Sequence, residues 1–145
     1  MIGNDIVDIK ASEFSSMQRF MRYAAKVCTD HELLQLGRFE GRQQTLWRFW
    51  SIKEAAYKAG LRLAVCNSFS PYKIKVELLD EFSAEVHIDT TKFIARSILN
   101  CDYVYSEVVL VDSDLSLKRN IVDLKSSSEI KKILILTKLS MVYRE

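Results

Sequence analysis

The chain has 145 residues, 48% of them apolar, and a formal charge of +2 from 21 basic and 19 acidic residues spread along its length. That length suits one compact core rather than two domains, and the balanced charge offers no sustained basic stripe of the kind that binds nucleic acid nonspecifically. Three widely spaced cysteines (Cys28, Cys66, Cys101) with only two histidines indicate neither a disulfide scaffold nor a zinc site, and read as free thiols in a reducing compartment.

Residues 2–9 alternate β-branched and polar side chains, with Ile2, Ile6, Val7 and Ile9 as the apolar set, which predicts a short first strand holding Asp5. This segment lacks the basic start and continuous apolar core of a signal peptide, and no run reaches the ~20 apolar residues that span a bilayer. A cytoplasmic protein with no membrane partner is expected. Phe14, Met17, Phe20, Met21 and Ala24 recur at helical intervals, which predicts a helix from Ser12 as N-cap to about Ala25. Thr29-Asp30-His31-Glu32 reads as a capping box that opens a second helix through Leu33, Leu34 and Leu36, ended by Gly37 or Gly41.

The third and longest helix is predicted from about Arg42 to Lys58, with Gly60 as its C-terminal cap. Phe49, Ile52, Ala56 and Ala59 form its inward stripe, whereas Trp50, Glu54 and Lys58 recur on a neighbouring one. After Pro71 the period switches to two. Strands are predicted at Ile74–Leu78, at Glu85–Asp89, more weakly at Phe93–Ile98, and at Tyr103–Val111, whose dense apolar end suggests burial on both faces. Residues 112–125 are polar and irregular, and Ser126-Ser127-Ser128-Glu129 opens a terminal helix with Ile130, Ile133, Leu134, Leu136 and Met141 on its apolar side. The fold class is therefore α+β: an antiparallel sheet packed against a long central helix, with an extra C-terminal helix. Residues 1–111 form the main module, and 112–145 an extension packed on the same domain.

Taken singly, the polar residues have plain readings. Glu54 and Lys58 make an i,i+4 helix pair worth only ~0.3–0.5 kcal/mol, and Trp47 and Trp50 are packing residues. His31 lies in a capping segment and His87 on the outward parity of a strand, with no nucleophile signature near either, so covalent catalysis is not expected.

Two stretches change that reading when taken together: Ile2-Gly3-Asn4-Asp5-Ile6-Val7-Asp8-Ile9, and Trp50-Ser51-Ile52-Lys53-Glu54-Ala55-Ala56-Tyr57-Lys58-Ala59. They resemble the two signatures of the phosphopantetheinyl transferase superfamily, a glycine-x-aspartate in a first strand and a lysine-glutamate-alanine helix with a second lysine one turn on. Arg48-Phe49, Thr29-x-x-Glu32-Leu33 and Phe69-Ser70-Pro71 resemble further family elements, and the likeness covers about residues 1–111. Asp5-Ile6-Val7 resembles the small single-module class, typified by holo-(acyl-carrier-protein) synthase, in which active sites form between subunits of a trimer.

The resemblance implies transfer of the 4′-phosphopantetheine arm from coenzyme A to a serine of an acyl or peptidyl carrier protein. It implies Asp5 and Glu54 as ligands of magnesium (Mg2+), with Glu54 or a bound water taking the serine's proton, and Lys58 as a third catalytic residue on the phosphate. Lys58, Lys53 and Arg48 become the coenzyme A contacts, and a homo-oligomer, a trimer by analogy, the expected assembly, with the site at a subunit boundary. Arg19, Arg22 and Lys26 on the first helix are candidates for the acidic helix of the carrier. Gly3 marks a close backbone approach to a ligand or neighbour. One departure stands out: Ser97-Ile98-Leu99-Asn100-Cys101 occupies the place of a serine-x-x-histidine-like element. It motivates the alternative of a catalytically silent module that binds coenzyme A or a carrier.

Overall fold

The computed structural model describes residues 2–38 and 41–111. The chain divides into two units, Met1–Asp112 and Ser113–Glu145; the predicted terminal helix and its extension lie outside the described residues. Unit one runs β1 (Ile2–Asp8), α1 (Met17–Val27), α2 (Asp30–Leu36), α3 (Arg42–Arg62), β2 (Ile74–Leu78), β3 (Ser83–Ile88), β4 (Thr91–Leu99) and β5 (Tyr103–Leu110). The five strands form one antiparallel sheet in the order β1-β5-β4-β3-β2, as an α+β fold requires. Its ends are consecutive hairpins, except that β1 returns to pair with the last strand.

The sheet presents one apolar face to α3. Val76, Val86, Phe93, Ala95 and Val108 from the strands meet Phe49, Ile52, Ala56 and Ala59 from the helix, all buried in one core. The strict alternation in β2, buried at Ile74, Val76 and Leu78 and exposed at Lys75 and Glu77, is the period-two pattern of a half-covered strand. β5 is buried on both faces over Tyr103–Val108 rather than at its terminal apolar run, where Val109 and Leu110 are half-exposed.

Two local expectations need correction. α1 starts one turn later than predicted, because Ser16, not Ser12, is the N-cap and accepts from the Arg19 amide at 3.2 Å. Lys10–Ser12 instead form a short 3-10 turn, with the Ala11 amide donating to Asp8 Oδ1 at 3.0 Å. α3 runs through Gly60 to Arg62, so this glycine is not a cap: a Cβ there would lie 2.7 Å from Cys66 Sγ, and its bareness admits the following loop. Gly41, with φ at +70°, precedes the first turn of α3, a backbone shape that glycine adopts freely. The capping box at α2 forms as expected, with Thr29 and Glu32 bonding each other's amides.

Candidate active site

Gly3 brings the site together. A Cβ at this position would sit 2.0 Å from the Ala55 carbonyl oxygen and 2.9 Å from the Ala59 amide nitrogen, so only a bare backbone lets β1 lie this close to α3. The near neighbour that the sequence suggested is thus the helix. Two residues on, Asp5 faces α3 from the edge strand. Ser51 Oγ donates to the Asp5 carbonyl at 3.3 Å, and Lys58 Nζ donates to the Asn4 carbonyl at 3.1 Å and to Asp5 Oδ1 at 2.7 Å.

Glu54, one turn before Lys58, completes a cluster of two carboxylates and one ammonium. Burial holds the Asp5 carboxyl above its ordinary pKa, against the pull of Lys58. Burial also raises Glu54, and the Asp5 carboxylate raises it further, again with Lys58 opposing. A carboxylate that disfavours the ionisation of its neighbour, with one lysine among the described residues opposing the effect, makes a place where an added cation is stabilised. Among the described residues no group of three or more His, Cys, Asp or Glu side chains could hold a metal. An ion at this pair would therefore draw its other ligands from phosphate oxygens and water, as Mg2+ commonly does. The oxygen-only donor pair fits that metal.

Beside Glu54, α3 carries an aromatic wall, whose Trp47 shares a buried cluster with Val7 of β1 and with Ile9. Phe69 packs between Trp50 and Tyr57, at centroid distances of 5.3 and 5.2 Å. Tyr23 of α1 packs on Trp47 and Trp50 at 5.2 and 5.8 Å, and Phe14 stacks on Trp47 at 5.3 Å. The tryptophans do pack as expected, but they also fix α1 beside the acidic cluster. Tyr23 was not singled out from the sequence. Its four-residue spacing from Arg19 is the only trace there, and a tyrosine among helix positions is more often simple packing. Arg19, Arg22, Tyr23 and Lys26 line an open surface cavity of about 280 Å³.

Two expected coenzyme A contacts go elsewhere. Lys53 is wholly buried, and its three N–H donors face Glu32 Oε2 at 2.7 Å, the Val27 carbonyl at 2.8 Å and the Pro71 carbonyl at 2.7 Å. None is left for a phosphate. Arg48 is buried as well, and its guanidinium donates to the Asp80 and Ser83 carbonyls at 2.8 and 3.1 Å, tying down the β2–β3 turn. Burial draws its pKa down to about 10. Both residues share α3 with Glu54 but project from other sides of it, which a linear motif does not display.

In the departing segment, Ser97 is buried and bonds Ser106 Oγ at 2.9 Å, and Asn100 Oδ1 caps the β4–β5 turn by accepting from the Asp102 and Tyr103 amides. His31 pairs with Glu77 and His87 with Glu85, both remote from Glu54 in sequence and on the α2 and β3 side of the sheet. Burial pushes the Cys28 thiol up to about 12, leaving it inert at neutral pH. Asp5 and Glu54, which the sequence assigned to a strand surface and a helix surface of the module, come together within one chain.

No helix among the described residues is long and apolar enough to cross a membrane. No curated protein matches this chain by sequence. Solved structures do share its fold. The Helicobacter pylori holo-[acyl-carrier-protein] synthase in complex with coenzyme A aligns at TM-score 0.61 and 20% identity, over 77% of this chain and 100% of that one. The Bacillus anthracis holo-(acyl-carrier-protein) synthase in complex with CoA (3′,5′-ADP) aligns at 0.57 and 20%, over 75% and 93%. The Neisseria meningitidis holo-[acyl-carrier-protein] synthase aligns at 0.57 and 19%, over 77% and 97%. A family model described as the 4′-phosphopantetheinyl transferase superfamily matches residues 1–108, which span both signature segments and the whole sheet as far as β5, and the chain belongs to that superfamily.

Proposed function

We propose that this chain is a magnesium-dependent holo-(acyl-carrier-protein) synthase, moving 4′-phosphopantetheine from coenzyme A to a serine of an acyl or peptidyl carrier protein in the cytoplasm. The observation that carries the proposal is the convergence of Asp5, Glu54 and Lys58, from two segments far apart in sequence, in a chain of this superfamily. Asp5 and Glu54 hold the cation; when bound, it offsets charge on the coenzyme A diphosphate. Lys58, 44% exposed, can leave Asp5 for a phosphate oxygen once the cation takes its place.

The chemistry balances within this cluster. The serine oxygen bonds to the β-phosphorus, the bond from that phosphorus to the nucleotide oxygen breaks, and 3′,5′-adenosine diphosphate leaves. The serine's proton passes to Glu54. The basic cavity on α1 fits an acidic carrier helix by charge. A homotrimer is proposed as well, supported by the half-exposed Ile6, Ile94, Ile98 and Val109 on the sheet face away from α3. Sedimentation equilibrium tests it.

The deciding experiment incubates the chain with apo carrier, coenzyme A and Mg2+ and reads the carrier's mass. A phosphopantetheine increment that needs the metal and disappears in Glu54→Gln is expected. Absence of transfer across a panel of carriers, or unimpaired transfer by Glu54→Gln, overturns the mechanism.

A further inference from the structure

Tyr23 belongs to two places at once. It lines the α1 cavity with Arg19, Arg22 and Lys26, and its ring leans on Trp50, one turn before Glu54 on α3. Among the described residues the cavity is lined by three cations and one phenol, a charge that suits an anionic occupant, and the phenol lies within the electrostatic influence of Glu54. Burial and the neighbouring Glu54 carboxylate push the Tyr23 pKa up to about 12, which keeps its hydroxyl a hydrogen-bond donor at neutral pH.

We propose that Tyr23 is a positioning residue for the second substrate: its hydroxyl holds the carrier's serine hydroxyl as a carrier docked on Arg19, Arg22 and Lys26 presents that serine to Glu54. The inference rests on the transferase reading and adds to it the group that links docking to chemistry. Tyr23 exchanges no proton in the reaction; the serine's proton still goes to Glu54. The ring contacts with Trp47 and Trp50 supply the rigidity that such a role needs.

The test is Tyr23→Phe, which keeps the ring and removes one oxygen. Transfer at saturating carrier is expected to fall about tenfold, the worth of one hydrogen bond made at the transition state, with the KM for coenzyme A unchanged. A second variant places 2,3,5-trifluorotyrosine at position 23, lowering the phenol's pKa while keeping its shape. The alkaline limb of the pH–rate profile then moves to lower pH. Among the described residues, the charged groups around this phenol are Arg19, Arg22 and Lys26 on its own helix and Glu54 on α3, and the wild-type profile measured alongside carries their contribution. Wild-type kcat in Tyr23→Phe, a rise confined to the KM for coenzyme A, or a fluorotyrosine profile that does not move overturns the inference while leaving the transferase reading intact. A wild-type protein that modifies no carrier overturns both.

Discussion

Lys53 and Lys58 stand on the same helix, each against a carboxylate, and do opposite work. The Lys53–Glu32 pair is sealed, with side chains 0% and 1% exposed and every donor engaged. Glu32 completes the junction by accepting from the Val76 and Thr29 amides, both at 2.8 Å, so the ends of α1 and α2, α3 and β2 are tied at one point. The Lys58–Asp5 pair is half open, with side chains 44% and 14% exposed, and one further carboxylate, Glu54, shares the Lys58 ammonium. A closed and balanced pair fixes geometry, whereas an open cluster with an excess of negative charge is ready to take up a cation. Charge balance and access separate the two lysines, although the sequence motif contains both.

The largest effect that can test this contrast is on the sealed pair. Lys53→Met leaves Glu32 buried without its partner and is expected to cost about 3–5 kcal/mol of stability, read as a lower urea midpoint. The Glu32→Gln/Lys53→Met double variant should recover part of that loss, because no lone charge remains. Equal stability of Lys53→Met and wild type would mean that the junction is not the tie described.

At the open cluster the balance is reversed. Glu54→Gln is expected to lower the transfer rate by about 10²–10³-fold, the scale for losing one well-placed electrostatic contact at a transition state, with little change in melting temperature. If it instead unfolds the chain, Glu54 is structural and the contrast fails.

Gly3→Ala sits between the two regions. Its new methyl meets the Ala55 carbonyl, so β1 and α3 must part, at about 1–3 kcal/mol for an overpacked site. Transfer should fall more than stability alone accounts for, as Asp5 is carried away from Glu54. Activity at wild-type level per folded molecule would remove Gly3 from the argument.

The smallest effect is on pH dependence. Asp5 and Glu54 have folded pKa values above their ordinary 3.8 and 4.5, so the folded chain binds these protons more tightly than the unfolded one. Their contribution to stability is therefore fully present below those ordinary values and is lost as pH rises through the raised folded values. Exposed Asp80, Glu85 and Asp102, whose pKa values are lowered by hydrogen bonds, act in the opposite sense. Subtracting the Glu54→Gln melting curves from wild type isolates the cluster. The difference should shrink on acidification, and Mg2+ should raise the wild-type melting temperature at neutral pH but not that of the variant.

Much of this protein follows from local rules. The alternating strands, the α2 capping box and the inward stripe of α3 depend on neighbours a few residues away, and periodicity displays them, whereas Asp5 and Glu54 stood out only through the family resemblance. The start of α1 was misjudged because two serines can each cap a helix, and Asp8 captured the earlier turn. Gly60 was misread because a glycine admits close packing as well as ending helices, and the sulfur it admits belongs to a separate loop.

The α+β character could be read from the sequence alone, and its resemblance to a family singled out Asp5 and Glu54. Only the tertiary structure decided that Asp5, Glu54 and Lys58 come together within one chain, that Lys53 and Arg48 are internal ties, and that Tyr23 packs on Trp47 and Trp50. The physical reason is that burial and charge pairing are set by residues distant along the chain. A lysine's chemistry depends on which carboxylates and carbonyls reach it, and whether water does, and β1 and α2 bring those to α3 only when the chain folds.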